Sequence, residues 1–363
     1  MKTIFVYELK KIFSRKIVWA GILFIAVVSI GGFTSITPEM VSAEKEVSSR
    51  YKGTLDDELV QRMLQDFMPS QEQRELWHGV NIKYIGMNAM QQAVHRYFAK
   101  EDGTWNGKTV RDVFGDEKIQ IGYYEGWFQF SQTLVRVMIC AAVLVLIITA
   151  PVFAGEYQGM DKLLHTCRYG RGRCATAKIL AAFCASMGIA AAALAANFAA
   201  AFCLIGTEGL DSNTLFCGVF YENYMPFSMS IVKMLLYQAG LALSGIWMLI
   251  GAALAISAFS KNQIASLIIG TAAFMGPVVF SVAESSPCFK LVALLPVYQL
   301  QFTSLMRIGQ AGKTVFYAVW AFPCATLFGA LGSALAQRAW AQPFYKSPCT
   351  RITRISTGRI NRK

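Results

Sequence analysis

The chain has 363 residues, carries a net charge of +12, and is 55% hydrophobic with only 15% charged residues. Its mean hydropathy is +0.41. A soluble domain holds about 25% charged residues, and here the apolar residues fall into long blocks, so a soluble globular fold is excluded and a membrane protein is indicated.

Residues 1–16, MKTIFVYELKKIFSRK, place Ile4, Phe5, Leu9, Ile12 and Phe13 at helical spacing, with lysines mostly elsewhere. That pattern predicts an amphipathic helix in the headgroup plane, turning as an elbow into a first crossing at Ile17–Ile36. A secretory leader is the competing reading: Lys10, Lys11, Arg15 and Lys16 resemble its basic start, and Val41, Ser42 and Ala43 its cleavage site. The apolar core of such leaders runs about 7–15 residues, shorter than this block, so an uncleaved first helix is expected.

Residues 37–130 form the one large hydrophilic block. Thr54, followed by Asp56, Asp57 and Glu58, predicts a helix start, with Leu55, Leu59, Met63 and Phe67 on one face. A second amphipathic stretch contains His78 and His95, without ligand spacing. A mostly helical extracellular insert is expected.

A helix needs about 20 apolar residues to cross a bilayer. Leu134–Phe153, Ile179–Ile205, Met229–Ser257, Ile264–Ala283 and Val315–Ala336 meet or approach this. With the first block they predict an all-α polytopic fold of six transmembrane helices. Residues 284–313 are semi-apolar and broken by Pro287 and Pro296, which predicts a re-entrant or interfacial outer helix at about 288–308.

Basic residues orient the chain. With the N-terminus inside, segments 1–16, 154–178, 258–263 and 337–363 carry 18 Lys and Arg against three acids. The outer segments carry 14 against 19. Arg136 and Lys233 fall at the edges of spans. The positive charge is thereby a topology signal, with no need for nucleic acid, and both termini are expected in the cytoplasm. The expected location is a cell membrane, of the bacterial plasma-membrane kind. The basic tail, with Arg351, Arg354, Arg359 and Arg362, is expected to anchor on anionic lipid.

The nine cysteines form no disulfide framework. Cys140, Cys184, Cys203 and Cys324 fall in spans; Cys167, Cys174 and Cys349 are expected inside; Cys217 and Cys288 outside, where a bridge between them is left open. His165, Cys167 and Cys174 match no zinc spacing.

Two stretches imitate a phosphate-binding loop and fail its spacing. RIGQAGKT has Arg307 where the first glycine is needed, and GTWNGKT has three residues between Gly103 and Gly107 instead of four. No ionisable residue lies deep in an expected span, so no ion relay of the sort carriers use is evident. Asn197 and Gln238 are the main amides within the spans; they suit a cargo path or simple bonds between helices.

The segment FAGEYQGMDKLLHTCRYGRGRCATAK, Phe153–Lys178, sets charge between two apolar blocks. Its acids come first and its bases later, which suits the dipole of a short helix over Asp161–Tyr169. A solvated positive-inside loop is the plainer reading. Glu156 is expected to pair with a base such as Arg168 or Lys178. This segment, with the basic YELKKIFSRK before the first crossing, resembles the permease subunit of a type-2 ABC exporter. Glu156, Gly159, Leu163, Leu164, Arg168 and Lys178 follow that family's order, with Cys167 where Ser or Pro is usual. The large insert and the outer helix before the last crossing fit as well.

The resemblance implies a non-enzymatic subunit that pairs with a second permease subunit and with ATP-binding subunits. ATP and magnesium would bind to those partners, and none to this chain. Glu156, Asp161, Leu163, Leu164, Arg168 and Lys178 would transmit motion from the partner, driving an unspecified cargo outward. A membrane-embedded sensory or interaction protein is the alternative from another class, and an ion-coupled carrier a third.

Overall fold

A computed structural model describes residues 2–34, 37–66, 93–100, 104–157, 163–164, 166–167, 170–214, 228–260, 262–279, 289–301 and 311–341. The fold is mostly helical. Five helices are long and apolar enough to cross a membrane. They are α2 (Lys16–Phe33), α6 (Glu125–Thr149) continued by α7 (Pro151–Ala154), α8 (Arg173–Ile205), α9 (Ile231–Phe259) and α13 (Ala311–Ala341). The remaining apolar block folds as α10 (Gln263–Val279), 17 residues with Pro277 inside. At 1.5 Å per residue α10 is about 25 Å long, shorter than its neighbours.

α6 is the most enclosed of the long helices. α2, α8 and α9 all pack against it; α9 in turn lies against α8 and α13. The α9–α13 crossing is close because glycines face each other: a Cβ on Gly251 would overlap the backbone of Gly329, and one on Gly332 the backbone of Gly251. With no hydrophobic drive between helices in lipid, such small-residue contacts and interhelical hydrogen bonds hold spans together. Ser131 Oγ donates to Gln238 Oε1 at 2.8 Å, and Gln238 Nε2 returns to Ser131 O at 3.0 Å, joining α6 to α9.

α1 (Lys2–Phe13) precedes α2 with only Ser14 and Arg15 between them. Its apolar face is spent on protein: Ile12 is buried, and Phe5, Leu9 and Phe13 pack on the cluster formed by α2, α6 and α8. Val6 and Tyr7 stay exposed.

In the hydrophilic block, α3 (Pro38–Ser49), α4 (Asp57–Asp66) and α5 (Val110–Phe114) are helical, but β1 (Gly53–Thr54) pairs antiparallel with β2 (Gln120–Ile121). Thr54 therefore belongs to a strand instead of a helix start. Asp56 caps α4, its Oδ1 accepting from Leu59 N at 2.7 Å. Phe67 and His78 lie outside the described residues. Within the segment expected as an outer helix, the described residues 289–301 form two short turns, α11 (Phe289–Val292) and α12 (Pro296–Leu300). Gln299 of α12 is fully buried; it accepts from Ser244 Oγ at 2.9 Å and donates to Leu294 O at 2.9 Å, which fixes this break against α9.

Candidate functional site

The end of α6 sets up the site. Pro151 cannot donate to a helical bond, and the helix restarts as α7 before the chain leaves at Gly155. Ser257 of α9 repairs the break. Its hydroxyl donates to Ala150 O at 2.7 Å and accepts from Phe153 N at 3.1 Å and Ala154 N at 3.2 Å. Two residues on, Tyr157 Oη donates to Ala258 O at 2.7 Å. The root of the 154–178 segment is thereby fixed to the end of α9.

Glu156 is held at this root, 6% exposed. Lys178, in the second turn of α8 and 2% exposed, donates to Glu156 Oε1 at 2.9 Å and to Glu8 Oε1 at 2.7 Å. Lys11, one turn after Glu8 on α1, also donates to Glu156 Oε1. Four groups from three elements, two acids and two bases, thus form one chain: Glu8, Lys178, Glu156, Lys11. Burial alone would push the Glu156 carboxyl up. The hydrogen bonds and charges of Lys11 and Lys178 outweigh it and hold the group below its ordinary value of 4.5. Arg15 sits near both carboxylates.

The far side of the segment is tied down by α13. Trp340, fully buried, donates from Nε1 to Gly170 O at 3.2 Å and packs against Phe153 and Tyr157. Leu163 is 64% exposed, whereas Leu164 next to it packs on the core. The residues 163, 164 and 166 are helical, with Cys167 in a bend. A cleft of 310 Å³ lies beneath, lined by Tyr7, Glu8, Lys11, Leu164, Cys174 and Lys178 among others.

Of the residues singled out in the sequence, the structure joins Glu156 to Lys178 and sets Leu163 and Leu164 on the same segment. Asp161, Arg168 and His165 lie outside the described residues, as do Cys217, Cys288 and Cys349. Among the described residues six cysteines are free, and no cluster of His, Cys, Asp and Glu could hold a metal. Asn197 donates to Ser29 Oγ at 3.1 Å and to Ala193 O at 2.8 Å, and Gln238 to Ser131; both amides are buried and serve contacts between helices.

Glu8, Lys11, Ser257 and Trp340 were not legible as site residues. One signal existed: Glu8 is the single acid among the first sixteen residues, an anomaly in a basic amphipathic helix. Among the described residues each carboxylate of the site is matched by an ammonium group. The site ties α1 and α8 to the root of the 154–178 segment. No protein-family model, curated relative or solved structure matches this chain.

Proposed function

We propose that the chain is the permease subunit of an ATP-driven exporter of the type-2 ABC class. It would cross the membrane six times, with α1 as an elbow helix, both termini in the cytoplasm and the α3–α5 block outside. A separate subunit would bind ATP and magnesium, and a second permease subunit would complete the transporter. The observation that carries this reading is the Glu8–Lys178–Glu156–Lys11 chain, buried at Lys178 and Glu156, at the root of a segment that exposes Leu163. A connector that only reverses direction gains nothing from buried charge, which costs several kcal/mol per ion to desolvate. A lever gains stiffness, because force on its tip reaches α1 and α8 without being absorbed at the root.

The test is reconstitution with an ABC-type ATPase encoded beside the chain, scoring co-purification and cargo-stimulated hydrolysis. Leu163→Asp should release the ATPase while leaving the permease inserted. Glu156→Gln should leave the ATPase bound but uncouple hydrolysis from transport. Retention of both partner and stimulation in both variants would reduce the segment to a connector and sink the proposal.

A further inference from the structure

One narrow stripe of α6, the most enclosed long helix, reaches the surface. Gln129, Gln132, Arg136, Ile139, Val143 and Ile147 recur every three or four residues and are each exposed or half-buried, with Arg136 and Val143 the most open. This is a single line along the helix. It changes character halfway: two carboxamides, then a guanidinium, then aliphatic side chains.

The depth of the changeover follows from the neighbouring helix. Thr133 Oγ1 donates to Gly32 O at 3.2 Å, so Thr133 is level with the last turn of α2. Arg136 is three residues further along, about 4.5 Å deeper at 1.5 Å per residue. α2 itself is about 27 Å long by the same rise, close to the roughly 30 Å hydrocarbon thickness. The sequence placed Arg136 at the edge of a span because the apolar run begins at Leu134. The structure starts the helix at Glu125 and sets Arg136 about one turn below the level at which α2 ends.

A charge there calls for a partner. Among the described residues no carboxylate pairs with Arg136. The described spans carry no acid along their lengths except Glu125 at the first position of α6. Among the described residues, a second copy of this chain packed side by side offers no span carboxylate at this depth. The long arginine side chain can reach toward the interface while its stem stays in hydrocarbon.

We infer that this stripe binds an anionic phospholipid from the leaflet on the α3–α5 side. Arg136 pairs with the headgroup phosphate, Gln132 and Gln129 donate to headgroup oxygens above it, and an acyl chain lies over Ile139, Val143 and Ile147. The lengthwise order of the stripe, polar, cationic, then apolar, is the order of such a lipid. The inference does not rest on the transporter reading.

The experiment is native mass spectrometry of the full chain, delipidated and then exposed to dioleoyl phosphatidylglycerol or dioleoyl phosphatidylcholine. The wild type should retain phosphatidylglycerol over phosphatidylcholine. Arg136→Gln should lower phosphatidylglycerol retention about fivefold, the factor expected for one basic group at a membrane surface, and Arg136→Lys should keep most of it. Lys233→Gln, at an exposed position of α9, should change little. If Arg136→Gln does not insert, Val143→Trp, which blocks the tail track and spares the guanidinium, should lower retention instead. Unchanged phosphatidylglycerol retention in the variant that inserts overturns the proposal. So does a loss matched by Lys233→Gln, which would mean diffuse charge. Conversion of a dimer to a monomer by Arg136→Gln, with lipid retention intact, overturns it in favour of a protein partner.

Discussion

Lys178 and Glu156, 22 positions apart in sequence, form a buried ion pair of 2.9 Å that ties the base of one membrane helix to the exit of another. Glu8 takes a second contact from the same ammonium, at 2.7 Å. One nitrogen thus joins three elements. Losing it leaves Glu8 without this partner and Glu156 with Lys11 alone. Lys178→Met is expected to cost about 3–5 kcal/mol, the range for stripping one partner from a buried pair. Lys11 is 39% exposed, so Lys11→Met should cost about 1 kcal/mol or less. Thermal unfolding of the two variants in the same detergent checks the contrast; equal shifts would mean that Lys178 is not the hub.

Acid should release α1. Glu156 titrates below its ordinary 4.5 when folded. Between its folded and ordinary values the undocked state therefore binds more protons, and stability rises with pH. The contribution is complete above about 4.5 and disappears as pH falls through the folded value. Trp19 is the reporter, since its Nε1 donates to Phe13 O at 2.8 Å across the turn from α1 to α2. Its emission should hold steady from neutral pH down to about 5 and change below the ordinary carboxylate range. In Glu156→Gln the acid transition should vanish.

Ser257→Ala removes one hydroxyl that serves three backbone groups at the Pro151 break. Leaving a buried donor or acceptor unsatisfied costs about 1–3 kcal/mol. The amides of Phe153 and Ala154 should exchange faster in the variant, while amides in the middle of α6 keep their protection. Unaltered exchange at 153 and 154 would show that the break holds without the hydroxyl.

The α9–α13 crossing should reject a single methyl group. Gly251→Ala would drive its Cβ into the backbone of Gly329, and overpacking of this kind costs about 1–3 kcal/mol. Gly31→Ala is the control, because nothing lies within 4 Å of a Cβ built there. Thermal unfolding should drop for the first and stay level or rise for the second.

Sidedness is testable with single cysteines in a cysteine-free chain. Lys45 of α3 reaches Glu208 at 3.3 Å and Ile205 O at 2.7 Å, so α3 and the end of α8 share one end of the bundle. Ser49→Cys and Asp211→Cys, both at exposed positions, should react with an impermeant maleimide from outside intact cells. Leu163→Cys, exposed at the opposite end, should react only after permeabilisation. Outside labelling of Leu163→Cys would overturn the proposed orientation.

Hydrophobic run length was enough to place the long helices. The block Ile179–Ile205 lies within α8, and Met229–Ser257 lies largely within α9, because a stretch of that length and composition has no other stable state in lipid. Chain pattern also marked the face of α1, the break at Pro296, and Glu156 and Lys178 as members of a charged segment. Local signals failed where a partner from elsewhere decided the outcome. Thr54 reads as a helix start, but β2, some 66 residues on, offers it a strand partner. Arg136 reads as the edge of a span, and only the register against Gly32 fixes its level, about one turn below the end of α2. Glu156 reads as one acid among several bases along the sequence; folding buries it beside Lys178, and the approach of α1 adds Glu8 and Lys11. A buried ion pair is settled by which charges can be desolvated together, and that depends on three helices meeting at one point, which no period or spacing in a single segment encodes.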